Sequence, residues 1–174
     1  LRDLIRIDTT NPPGSETGCA HYLAELLSPA GVEVRIIEPA PGRGNLVARL
    51  RGSGEDRPIV LMGHTDVVAA NPEEWLHPPF GAEIHDGFLW GRGATDMKQM
   101  VAACAVLMLA LAASGLPLKR DVLLLATADE EHGGRVGMGW LAQNMPELFD
   151  AECAINEGGG GATSVAGRLF YTCQ

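Results

Sequence analysis

The sequence predicts an α/β fold, a mostly parallel central sheet with helices on both faces. Three observations predict it. Largely apolar runs at 59–62, 122–128 and 151–155 are long enough for strands and too short for most helices, and 59–62 is continuous as in a strand buried on both faces. Segments at 97–113 and 137–144, between those runs, have helical character. Strands that alternate with helices pair in parallel, and such sheets bind ligands beyond the carboxyl ends of their strands. The 174 residues are enough for one domain with a core of its own.

Residues 1–7 read as the end of a helix. The T-T-N-P-P-G stretch at 9–14 is a turn, because two prolines and a glycine break periodic structure. Ser15 is placed to cap the next helix, whose apolar stripe is Cys19, Tyr22, Leu23, Leu26 and Leu27. Pro29 and Gly31 end it. The period then changes to two. Val32, Val34 and Ile36, followed by Leu46, Ala48 and Leu50, predict two strands joined by a Pro/Gly turn and exposed on one face. Residues 59–62 form a central strand. Asp86-Gly87 predicts a hairpin over 82–90. Residues 97–113 form a helix apolar on nearly all sides, too short to be a membrane span. Then come a second central strand (122–128), a weak helix (137–144), a third buried strand (151–155) and the start of a fourth (168–173).

Four clusters of ligand-type residues fall where strands or loops end. They are Gly63-His64-Thr65-Asp66, the 91–96 segment ending in Asp96, Asp129-Glu130-Glu131, and Asn156-Glu157-Gly158. Each offers a histidine or carboxylate, the donors zinc accepts. Three adjacent acids at 129–131 repel one another unless they are solvated or a cation sits among them. In extended chain His64 and Asp66 share a face, so Asp66 can accept the second ring N–H of His64. A surface turn explains H-x-D alone equally well. Asp96 can cap the following helix, face a metal, or both. Glu130 and Glu131 point apart in extended chain, so one can bind metal while the other serves as general base. Glu157, before a run of glycines, reads in isolation as a turn residue.

Other motifs are excluded. The glycine run at 158–161 lacks the G-K-[ST] ending of a phosphate loop, and there is no G-x-S-x-G nucleophile turn. His21, His77 and His85 read as structural or solvated, and His132 as shaping its loop. A net charge of −9 argues against nucleic acid and anionic membranes as partners. The four cysteines, Cys19, Cys104, Cys153 and Cys173, lie far apart without a C-x-x-C pair. They read as buried free thiols, which fits a cytoplasmic protein.

Taken together, G-H-T-D-V-V at 63–68, G-R-G-A-T-D-M-K at 91–98, D-E-E-H-G-G at 129–134 and N-E-G-G at 156–159 resemble the two-zinc amidohydrolase and exopeptidase family. That family includes aminoacylase-1, carboxypeptidase G, acetylornithine deacetylase and succinyl-diaminopimelate desuccinylase. The spacings also match: 30 residues from Asp66 to Asp96, 34 from Asp96 to Glu130 and 26 from Glu131 to Glu157. The resemblance implies a zinc-exopeptidase-like catalytic domain. It assigns His64 and Glu157 to a first zinc, Glu131 to a second, and Asp96 as a bridge, with the peptide bond after Asp96 often cis. Asp66 would orient His64, and Glu130 would be the general base. The implied cofactor is Zn2+, two per complete site, with Co2+ or Mn2+ as substitutes. The implied reaction is hydrolysis of an amide in an N-acyl amino acid or small peptide by a metal-activated water.

The family also has a late histidine ligand and an inserted lid domain that carries a homodimer contact, and neither is found in these residues. The resemblance therefore implies that 1–174 is the N-terminal part of the catalytic domain, with the lid absent and the second site short of a ligand. The alternatives are a di- or aminopeptidase on the same site, or a non-catalytic metal-binding scaffold. The wording of the motifs leans toward the aminoacylase and carboxypeptidase branch.

Overall fold

The computed structural model describes residues 1–157, 162–166 and 168–171. Its strands are β1 (Glu33–Ile37), β2 (Asn45–Leu50), β3 (Ile59–His64), β4 (Glu83–His85), β5 (Phe88–Trp90), β6 (Val122–Thr127), β7 (Cys153–Ile155), β8 (Ala162–Val165) and β9 (Arg168–Tyr171). Its helices are α1 (Arg2–Arg6), α2 (Thr17–Leu27), α3 (Lys98–Ser114) and α4 (Met138–Asn144). Five strands form the central sheet in the order β1-β2-β6-β3-β7.

The sheet is mixed. β3 pairs in parallel with β6 and β7, while β2 is antiparallel to both β1 and β6. Four of the five strands thus run one way and β2 alone is reversed. The cause is local: a short turn joins β1 to β2, and parallel neighbours need a crossover of a dozen or more residues. The α3 crossover between β3 and β6 meets that need.

Alternation along the strands fills two cores. Leu46, Ala48, Leu61, Leu124 and Ala126 pack with Leu23 and Leu27 of α2 and Val101 and Met108 of α3. On the other face Val47, Val60, Leu123 and Leu125 pack with Leu141 of α4, Met145 and Leu148. Helices cover both faces, as the apolar runs at β3 and β6 require. The approach of α3 to β3 is close: a Cβ at Gly63 would lie 2.9 Å from Cγ2 of Val101.

Several sequence expectations are corrected. β2 is not exposed on one face, because it lies inside the sheet between β1 and β6 and the second core covers Val47. β7 is not buried; its three residues are exposed, and it is the last strand of the sheet among the described residues. Among the described residues, 168–171 of the segment expected to start a fourth strand do not join the central sheet, and 172–173 lie outside them. β9 instead pairs with β8, which the sequence did not suggest, in a separate two-stranded unit. Ser15 does not cap α2: the cap position is Glu16, whose side chain is buried and turned to Arg43. Asp96 does not cap α3 either, since Met97 holds that position with no side-chain cap. Val106 and Leu107 of α3 are exposed, so its uniformly apolar composition does not mean burial all round. The thiols of Cys19 and Cys104 are free and buried as expected, but Cys153 is exposed on β7 and Cys173 lies outside the described residues. No helix among the described residues is long and apolar enough to cross a membrane. The Asp86-Gly87 hairpin forms as read, with both turn residues at positive φ.

Candidate metal centre

His64 ends β3, and the turn after β6 brings the 129–131 acids beside it, at the carboxyl ends of two parallel neighbours. This is where a parallel sheet offers a site, because the chain leaves each strand there and loops diverge. His64 is 2% exposed. Its Nδ1 lies 3.0 Å from the Asp66 carbonyl oxygen, which sets that nitrogen as donor and turns Nε2 toward the acids of the cluster. Nε2 faces Asp96 Oδ1 at 3.1 Å, Glu157 Oε1 at 3.1 Å and Glu130 Oε2 at 3.7 Å. Ligand atoms of His64, Glu130 and Glu157 lie within 4.8 Å of one another, and so do those of His64, Asp96 and Glu131. All five residues nominated as His64, Asp96, Glu130, Glu131 and Glu157 therefore meet, although they come from four separate stretches of chain. The grouping differs from the one the resemblance implies in two respects: Glu130 stands with His64 and Glu157, and His64 stands with Asp96 and Glu131 as well. The Asp96–Met97 peptide is cis. An open cleft of about 330 Å³ borders the cluster, lined by Met62, Thr127, Gly134, Met138 and Asn156 among others.

The charges are poorly balanced. Burial, joined by Asp96, pushes the Glu131 carboxyl above its usual range. Burial and Asp96 likewise raise Glu157, against the pull of His64. Burial opposes a charge on His64, but Asp66, its carbonyl and Glu157 outweigh it and raise the pKa to about 9. Four carboxylates face one imidazole, so even with that ring protonated the cluster carries excess negative charge, and the nitrogen and oxygen donors are those zinc and similar dications accept. The donor set fits such an ion.

The model of the peptidase family M20/M25/M40 matches residues 60–168, more than half of the chain. The chain belongs to this family. Succinyl-diaminopimelate desuccinylases from Delftia acidovorans and Paracoccus denitrificans are 41% and 40% identical to it over 133 and 159 residues, covering 74% and 88% of this chain but 34% and 40% of their own length. Human carnosine dipeptidase 1 has the same fold, with a TM-score of 0.76 at 22% identity over 90% of this chain and 36% of its own. So does an M20 metallo-carboxypeptidase from Sulfolobus solfataricus, with a TM-score of 0.75 at 24% identity over 91% and 36%. The chain thus spans about two fifths or less of these relatives. The desuccinylase matches run against the leaning toward the aminoacylase and carboxypeptidase branch.

What holds the M20 cluster in shape was only partly legible. Asp66 is fully buried, and its carboxylate lies 3.4 Å from His64 Nδ1, farther than its own carbonyl. The carboxylate is occupied elsewhere. Its Oδ1 accepts the Glu130 N–H at 3.0 Å, and its Oδ2 accepts the Glu131 N–H at 3.1 Å and Asn11 Nδ2 at 2.8 Å. Asp66 therefore aims the two glutamates as well as facing the histidine. These residues do not lie in extended chain. Asp129 is at φ +70° and Glu130–His132 form a 3₁₀ turn. Asp129 turns away from the cluster, accepting from Arg43 Nη2 at 3.0 Å, from Asn11 Nδ2 at 3.3 Å and from the Val136 N–H at 3.3 Å. Arg43 in turn pairs with buried Glu16. Asn11, Glu16 and Arg43 were missed by sequence reasoning. The T-T-N-P-P-G turn was the sole hint for Asn11, and its docking to the strand end by Asn11 N–H to Val67 O gives that turn its place.

Proposed function

We propose that this chain supplies the catalytic half-site of a zinc-dependent amide hydrolase of the M20 family, as the N-terminal part of its catalytic domain. The observation that carries the reading is the convergence of Asp96, Glu130 and Glu157 on Nε2 of a buried His64, with Glu131 beside Asp96. His64, Asp96, Glu131 and Glu157 would hold the metal. A bound dication supplies Lewis acidity, polarising a carbonyl and lowering the pKa of water toward 7. Glu130 is the proton carrier. Its side chain is half exposed beside the cleft, and its backbone is fixed by Asp66, so it can take a proton from water and return it to the leaving amine. Asp66 positions both glutamates and the imidazole. The substrate is a small N-acyl amino acid or peptide, and the desuccinylase relatives favour a succinyl amide.

The test is zinc content and amide hydrolysis measured together on the chain and on its Glu130→Ala variant. Glu130→Ala is expected to keep its zinc and to lose about 10²–10⁴-fold in turnover. Near-normal turnover in that variant would remove Glu130 from the role. A folded chain that binds no zinc would defeat the metal reading itself.

A further inference from the structure

A second cluster of ligand-type side chains lies on the β4–β5 hairpin. His77, in the proline-rich loop, and Glu83 and His85, on β4, bring one ligand atom each within 4.8 Å of the others. Both ring nitrogens face the same oxygen: Glu83 Oε2 is 2.7 Å from His85 Nε2 and 3.8 Å from His77 Nδ1. We propose that His77, Glu83 and His85 form a peripheral site for a first-row divalent cation, Zn2+ or Cu2+, with water completing its coordination. The inference is independent of the reading of the His64 centre.

Donors about 2.1 Å from a tetrahedral zinc are about 3.4 Å apart. To hold an ion, Glu83 and His85 would open, His77 would close on Glu83, and one imidazole would turn out of the stack so that both nitrogens aim at one centre. One imidazole pair with one carboxylate is a donor set that zinc and copper take ahead of magnesium or calcium. The imidazoles stack at 3.6 Å with an interplanar angle of 4°.

The three donors are also held from behind. Glu83 and His85 are two residues apart on a strand and share a face. The Asp86-Gly87 turn fixes the register of that strand against β5. The His77 ring meets the edge of Trp90 on β5 at 4.9 Å. The loop on either side of it is tied down by the Arg92 N–H to Pro79 O at 2.7 Å and by Arg92 over the Trp75 ring. An ion here would clamp the proline-rich loop to the hairpin that leads into the 91–96 segment and Asp96.

The test is a zinc titration of the chain at pH 7.5, followed through the assigned ring signals of its five histidines. The expected result is a response of His77 and His85 together, separate from that of His64. His85→Ala and Glu83→Gln should each weaken the hairpin response at least tenfold and leave the His64 response unchanged. Both positions are partly exposed on a short hairpin, so neither variant threatens the core. Silence of His77 and His85 at zinc concentrations that saturate His64 would overturn the proposal. So would an unaltered hairpin response in both variants.

Discussion

Around His64 the donors are tied from behind by buried groups; around His85 they are held by an exposed hairpin and the loop beside it. The imidazole of His64 is 2% exposed and backed by the Asp66 carbonyl, and the Asp66 carboxylate pins Glu130 and Glu131 through their backbone amides. Asn11 and Arg43 then tie Asp66 and Asp129 to two other parts of the chain. The hairpin cluster has the same residue types, but the side chains of His85 and Glu83 are 41% and 43% exposed. Similar donors can therefore serve different ends. A supporting layer makes a site rigid enough for chemistry, whereas an exposed one can hold an ion but not exclude water from it.

The comparison is broken most directly at Asp66. Asp66→Ala strands two backbone amides and the Asn11 amide around a fully buried site, and should cost about 3–5 kcal/mol in urea unfolding. A loss below about 1 kcal/mol would mean that the 130–132 turn is held by something else. One layer further out, Arg43→Met leaves buried Glu16 and Asp129 without their cation and should cost about 2–3 kcal/mol by the same measurement. It should also weaken zinc binding at the His64 centre while leaving the hairpin untouched, which zinc titration of the variant would show.

Acid gives a control away from both clusters. Burial opposes the charge on Asp121, but the Gly52 N–H at 2.7 Å and Arg49 at 2.6 Å overcome it and hold its carboxyl below 3.8. A lowered folded pKa gives stability that is present above the unfolded value and lost as pH falls through the folded one. Asp121→Asn should therefore cost about 1–2 kcal/mol at pH 7, and the deficit should shrink below pH 3.8 in acid unfolding curves. The smallest effect belongs to the hairpin. Without metal, His85→Ala removes only an exposed pair, and thermal unfolding should register less than about 1 kcal/mol. A larger loss would show that the hairpin cluster is structural in its own right.

The centre was more legible than its support. His64, Asp96, Glu131 and Glu157 each fall where a strand or loop ends, a local signal that is weak residue by residue, and their roles come from the resemblance of the four motifs taken in order. Glu130 stands out with Glu131 as part of a crowded acidic tip. Asn11 gave no such signal: its partners Asp66 and Asp129 are 55 and 118 positions away, and a turn motif explains the residue without them. His77 and His85 looked solvated for the same reason, since nothing in sequence tells that a loop histidine stacks on a strand histidine.

The sequence by itself determined the class of fold, the order of its strands and helices, and the four ligand-bearing clusters. These depend on periodicity, turn residues and adjacency, which are properties of neighbouring positions. The tertiary structure decided which strands are neighbours. It placed reversed β2 inside the sheet and β7 at its edge, and so settled which apolar faces are covered. It also decided that Asp66 aims a turn as well as facing a histidine. Those outcomes depend on hydrogen bonds and packing between residues far apart in the chain, and they exist only once the sheet has closed around them.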